Sequence, residues 1–318
     1  MPQSSVSYSD LDPLADGERW PELLRLAGDP DAATVEERRE VAHVVALEAP
    51  AAFGAAALAL FPEDYGWPGP LWEVVAERPW SELRSHLTDP RTRHLVAHTR
   101  VLRGEDLRWD AELDPAVLGA PPWLLPWEAA WSGGLDVPCY WRTGSGGTVG
   151  WSFPQRLPDP VPVSGAVTRP ARRDVPPELA ASSGAADAYA FQGTAWQAVA
   201  TVASDRAGVR GADVAFEDAY PSLVHLATGL TAYGSLDGQE QRFSCSTGQA
   251  LGRKSLWRAL SAMAGSARPA DVERVTAFVQ RLRCVGWQEP DDRLYFVHLA
   301  MEDPEQSTTW VLHGSSND

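Results

Sequence analysis

The chain has 318 residues, of which 44% are hydrophobic and 22% charged, a balance that supports a sizeable globular core and argues against disorder. A formal net charge of -16 makes the surface acidic, so wrapping nucleic acid or docking on anionic lipid would meet like-charge repulsion. Cys139, Cys245 and Cys284 are odd in number and widely separated with no CxxC, which indicates neither a zinc ribbon nor a disulfide framework and points to a reducing cytosol.

The opening "MPQSSVSYSDLDPLADGERW" has no basic stretch followed by an apolar one, so no secretion leader is expected. From there to about residue 107 the sequence reads as short, closely joined helices. "ATVEERREVAHVVALEA" opens with Thr34 and Glu37 at capping-box spacing, and Val41, Val44, Val45 and Leu47 follow mostly on one face. "APAAFGAAALALF" is shorter than the roughly 20 residues a membrane helix needs. It also contains Pro50 and Gly54, and reads as a packed core helix. "PWSELRSHL" places Trp80, Leu83 and Leu87 on one stripe. "DPRTRHLVAHTRVLRG" has Asp89 as N-cap and Pro90 at the first helical position, and stops at Gly104.

Residues 108–188 change character. Six tryptophans, beginning at Trp109 and ending at Trp151, fall among prolines and glycines, and "VPCYWR-TGSGG-TVGWSF" reads as a β-hairpin around a glycine loop. The stretch that follows, from Pro154 to about Ala188, reads as a Pro-rich and mostly irregular connection. In residues 189–318, "SLWRALSAMAG" is helical. "PADVERVTAFVQRLRCVG" puts Val272, Val275, Val279 and Leu282 on one helical face and is expected to run to Gly286. "RLYFVHLAMED" and "TTWVLHG" then read as two strands joined by a turn through Pro304. A long amphipathic helix before a terminal antiparallel hairpin gives an α+β class, with a helical region (1–107), a Trp/Pro-rich hairpin and linker segment (108–188) and an α+β region (189–318).

Three stretches raise chemistry. "GQALGRKSLW" holds Lys254, the only lysine in the chain. A P-loop needs glycine directly before its lysine so that backbone can close on phosphate; here Gly252 is one place early and Arg253 intervenes. Lys254 and Arg258 lie opposite Leu256, Leu260 and Met263, which suggests a solvated helix face. In "HLVAH", His94 and His98 are one turn apart and could share a metal, with Glu105 or Asp106 completing the set and His86 one helix earlier. Leu95 stands where a zincin has its general-base Glu, and His98 lies beside Leu95 and Leu102, so a core histidine is the competing reading. Trp123, Trp127, Trp131, Trp141 and Trp151 could form an aromatic surface for a ligand or partner, or serve as core. No G-x-S-x-G elbow, GxGxxG or EF-hand pattern occurs.

"LVAHTRVLRGEDL", "GRKSLWRALSAMAG" and the tail "TTWVLHGSSND" together resemble members of an uncharacterised actinobacterial family, known as a domain of unknown function. The resemblance implies a cytosolic bacterial protein and brings no catalytic residues with it. With no motif passing its structural test, the sequence points to a cytoplasmic, non-catalytic protein-interaction or regulatory protein. A protein partner or self-association is expected, with no nucleic acid, membrane or cofactor. The alternative is a small-molecule enzyme, a metal-assisted hydrolase built on His94 and His98.

Overall fold

The computed structural model describes residues 8–62, 69–128, 138–142, 144–146, 152–164, 170–183, 186–228, 248–292 and 295–316. The chain forms two compact units, each assembled from separated stretches: Met1–Asp110 with Gly134–Thr148 and Phe243–Ala250, and Ala111–Gly133 with Val149–Arg242 and Leu251–Asp318. The Trp/Pro-rich stretch 108–188 is thus divided between them.

The first unit is mainly helical: α1 (Tyr8–Asp16), α2 (Trp20–Gly28), α3 (Val35–Glu48), α4 (Ala51–Leu60), α5 (Leu71–Val75), α6 (Trp80–Leu83) and α7 (Pro90–Leu102). The expected starts are present. Thr34 and Glu37 close a full capping box on α3, and the Asp89 carboxylate accepts from the Thr92 amide ahead of Pro90. The C-terminal carbonyls of α3, orphaned by geometry, are taken up by Arg78, whose guanidinium donates to the carbonyl oxygens of Ala46, Leu47 and Ala49. Val41, Val44, Val45, Trp72, Trp80, Leu83 and Leu95 fill the interior. Strands β1 (Cys139–Trp141) and β2 (Gly144–Gly146) pair antiparallel, so the hairpin is tighter than expected: glycines read as its loop form the second strand, and 147–151 of the expected second run lie outside the described residues.

The second unit contains α8 (Pro115–Leu118), β3 (Val161–Pro162), β4 (Ala171–Arg173), α9 (Pro177–Ser182), β5 (Asp187–Gln192), α10 (Ala195–Val202), β6 (Arg210–Val214), α11 (Phe216–Leu226), α12 (Gln249–Met263), α13 (Val272–Arg281), β7 (Arg283–Gln288), β8 (Tyr295–Asp303) and β9 (Thr308–Ser316). Its sheet has the order β3-β6-β7-β8-β9-β5-β4 with every pairing antiparallel. The class is α+β. The meander β7-β8-β9 is central, and β5 and β6 flank it, parallel to each other, joined through α10, which lies across one face of the meander. Val285, Ala300 and Val311 point at α10 and pack with Ala195, Ala198 and Val199. The opposite face presents Trp310, which meets Phe278 of α13 edge-on at 5.8 Å.

Two expectations change here. The helix expected to run to Gly286 ends at Arg281, and Arg283–Gln288 is a central strand. Cys284, Val285, Gly286 and Trp287 are buried in succession, and a run apolar on both faces satisfies a strand covered on both sides as well as it satisfies a helix. The connection expected to be irregular supplies the short edge strands β3 and β4.

Gly252 also acquires a reason. A Cβ there would collide with the carbonyl oxygen of Val224 in α11, so the glycine lets α12 approach α11 closely instead of cradling a phosphate. Gly252→Ala should therefore destabilise the second unit by about 1–3 kcal/mol through overpacking against backbone, despite alanine's better helix propensity. Urea denaturation checks this; an unchanged or raised midpoint would refute close packing as the role of Gly252. Lys254 beside it is half-buried, its aliphatic stem lying over Gly119, while Arg258 is exposed.

Candidate metal centre

The aromatic candidates separate in the structure. Trp127 is buried and its ring packs against Phe216, Tyr220 and Trp257. Trp123 is half-buried, Trp141 is 49% exposed, and Trp131 and Trp151 lie outside the described residues. On α7, His94 is half-buried and His98 is buried. Glu105 accepts from the Arg100 Nε at 2.6 Å and from the Trp80 amide at 3.1 Å, and Asp106 is bound by Arg108. These four residues are not gathered into a ligand set.

A different cluster is. Strand alternation places Trp287, His298 and His313 on the α10 face of the meander, two residues beyond Val285, Ala300 and Val311 respectively. His298 and His313 are direct cross-strand partners, with ring centroids 4.9 Å apart. The Trp287 indole stacks on both, at 5.2 Å from His298 and 5.8 Å from His313. Glu289 follows the end of β7, and Asp292 is held to it by a 2.7 Å bond from the Glu289 amide to the Asp292 carboxylate. Among the described residues, Glu289, His298 and His313 form the group of potential ligands in which one donor atom from each lies within 4.8 Å of the others.

Hydrogen bonds orient these groups. The Glu289 Oε1 accepts from Trp287 Nε1 at 3.1 Å and lies 3.1 Å from His313 Nε2. His298 Nε2 is 2.6 Å from the Asp292 Oδ1, a carboxylate that fixes its proton on that nitrogen. The other nitrogen, Nδ1, is buried. Arg206, in the turn after α10, donates from one Nη1 both to His313 Nε2 at 2.6 Å and to the Glu289 carboxylate.

Burial, followed by the Arg206 charge, pushes the His313 imidazole down to about 4. Burial also lowers His298, against the pull of Asp292. Both rings are therefore neutral at neutral pH, the form in which imidazole binds a metal. Donors at tetrahedral zinc sit about 3.4 Å apart, so small side-chain adjustments would close this set on an ion. Two imidazole nitrogens and one carboxylate suit zinc, iron(II), cobalt or nickel better than calcium or magnesium.

No protein-family model, no curated protein and no solved structure matches the chain.

None of these residues stands out by local spacing, although one pairing has a sequence signal. Pro304 opens a four-residue turn, 304–307, so Asp303 faces Thr308 and counting outward from that pair puts His298 opposite His313. Glu289 carried no such mark, because the strand before it was read as helix.

Proposed function

We propose that this chain is a cytoplasmic, metal-responsive regulatory or protein-interaction protein, and that Glu289, His298 and His313 hold a transition-metal ion on the meander of the second unit. The observation that carries the reading is the convergence of two neutral imidazoles and one carboxylate from adjoining parts of the sheet. An ion there would cross-link the end of β7 to β8 and β9, a place where binding alters the rigidity of the sheet. The acidic surface supports the expectation of no nucleic-acid partner. Among the described residues no helix is long and apolar enough to cross a membrane. The resemblance to an uncharacterised actinobacterial family fits a bacterial cytosolic setting.

A second reading is metal-assisted hydrolysis at this same cluster, favoured by one feature: three protein ligands leave a coordination position for water or substrate. The experiment is titration of the chelator-treated chain with cobalt(II) and zinc. One equivalent of cobalt(II) should bind with d–d absorption that zinc bleaches by displacement, and Glu289→Gln and His313→Ala should weaken binding more than about 100-fold, beyond the loss of a supporting hydrogen bond. His94→Ala and His98→Ala should leave it unchanged. Absence of stoichiometric binding would overturn the reading. Light scattering and pull-down with and without metal test the interaction role, and turnover of ester and phosphoester panels tests the hydrolytic one.

A further inference from the structure

We propose that Arg206 is the resident cation of this centre and that a metal ion enters only by displacing it. The inference rests on the metal-binding reading above and adds how the site is regulated.

Three observations support it. First, Arg206 and a metal would need the same lone pairs. A guanidinium only donates, so the Arg206 Nη1 hydrogens already occupy the His313 Nε2 lone pair and an oxygen of Glu289. A nitrogen lone pair serves one partner at a time, so the two occupants exclude each other. Second, the pocket requires a cation. The Glu289 side chain is only 8% exposed, and a carboxylate so enclosed without a counter-charge is strongly disfavoured. Arg206 supplies that charge in the absence of a metal. Third, Arg206 is able to leave. Its side chain is 44% exposed and it stands in an exposed turn, residues 204–208, anchored at its start by the bond from the Arg206 amide to the Ala203 carbonyl at 3.0 Å. Its charge is fully solvated once it swings out, which a buried arginine could not achieve.

The consequence is an exchange. Metal in, the guanidinium goes out, and the turn between α10 and β6 loses its side-chain tether to the β7–β8 turn. Ion binding in the sheet is thereby reported at the surface. The same exclusion makes the site discriminate against weakly bound cations, because any ion must displace a charge-assisted contact that one Arg206 nitrogen makes to both Glu289 and His313.

The test compares the wild-type chain with Arg206→Gln, using cobalt(II) and zinc as probes. Glutamine removes the charge while keeping a donor near His313. Arg206→Gln should bind cobalt(II) on the order of tenfold more tightly or better, the scale of one charge-assisted hydrogen bond. In the wild type, zinc should speed amide exchange across 204–208 and move the Arg206 Nε–H resonance to the free, exchanging position. Equal or weaker binding by the variant leaves the metal reading standing and overturns displacement. If the variant does not fold, the wild-type exchange measurement decides: bound zinc with unchanged exchange at 204–208 also overturns it. Absence of binding in both proteins removes the metal reading itself, and this proposal with it.

Discussion

Replacing Arg253 by methionine with Glu128 left in place should cost the second unit about 3–5 kcal/mol, the scale set by orphaning a buried charge. Both side chains are fully enclosed. Burial opposes the guanidinium charge, but Glu128 and Tyr220 together outweigh it and raise the Arg253 titration above its ordinary range. The carboxylate is the hub of a larger set. Its Oε1 accepts from Arg253 Nε at 2.9 Å, from Trp257 Nε1 at 3.1 Å and from the Tyr220 hydroxyl, and its Oε2 accepts from Arg253 Nη2 at 3.1 Å and from the Leu125 amide at 3.0 Å. Arg253 in turn donates to the Pro121 and Trp123 carbonyls, both at 2.9 Å. The stretch "PPWLLPWE" has little regular structure, and this network fastens it to α11 and α12. Changing both members, Glu128→Leu with Arg253→Met, should cost less than the sum of the single changes, because neither leaves the other's charge unpaired. It should still not be neutral, since Tyr220, Trp257 and the Pro121 and Trp123 carbonyls lose partners. Urea denaturation of the four proteins closes the cycle. A loss under about 1 kcal/mol for the single arginine change would show that water reaches the pair.

What the sequence disclosed, and what it withheld, divides by distance along the chain. Features set within one turn were legible: the Thr34–Glu37 box, the Asp89–Pro90 start, the stop near Gly265 and the terminal hairpin all appear where they were expected. Local spacing fails where two periods fit the same residues. Val275, Val279 and Leu282 keep a helical stripe that continues to Gly286, and only burial on both faces turns the last part into β7. Partners far apart were invisible. Arg253 was set aside as the residue spoiling a phosphate loop, and its carboxylate partner is 125 positions away. His94 and His98 were attractive because they share a helical turn, yet a ligand set also needs uncommitted carboxylates, and Arg100 and Arg108 hold Glu105 and Asp106. His298 and His313 met the opposite fate: separated by fifteen positions in sequence (313 − 298), they become neighbours through strand register. The interleaving of the two units had no local sign at all.

Glu73 should cost the first unit stability as pH rises from 5 to about 7, and Glu73→Gln should remove that contribution. Glu73 lies on α5 with 1% of its surface exposed; the Tyr140 hydroxyl donates to it at 2.5 Å and the Gly248 amide at 2.6 Å. Burial pushes its carboxyl up to about 7, against the opposing pull of Tyr140, Gly248 and Arg103. In the unfolded chain the group returns to 4.5. Below 4.5 both states hold the proton and the folded unit has its full stability. Between 4.5 and 7 the unfolded chain releases the proton while the folded unit keeps it, so stability falls with each step in pH. Above 7 the loss is complete, at roughly 3 kcal/mol from about 1.4 kcal/mol per unit of separation. His43 acts in the other direction: burial holds it below its ordinary range, so its contribution is complete above 6.5 and fades as pH falls. Its ring lies 6.1 Å from that of Tyr140, and raw melting curves therefore mix the two. The difference between wild type and Glu73→Gln isolates the carboxyl, because glutamine keeps the shape and a hydrogen-bonding amide with no proton to lose. Thermal midpoints measured at half-unit steps should give a wild-type-minus-variant difference that declines steadily from pH 5 and levels off just above 7. A flat difference would mean Glu73 is ionised in the folded unit throughout, so that Tyr140 and Gly248 bind a carboxylate whose charge they have fully compensated.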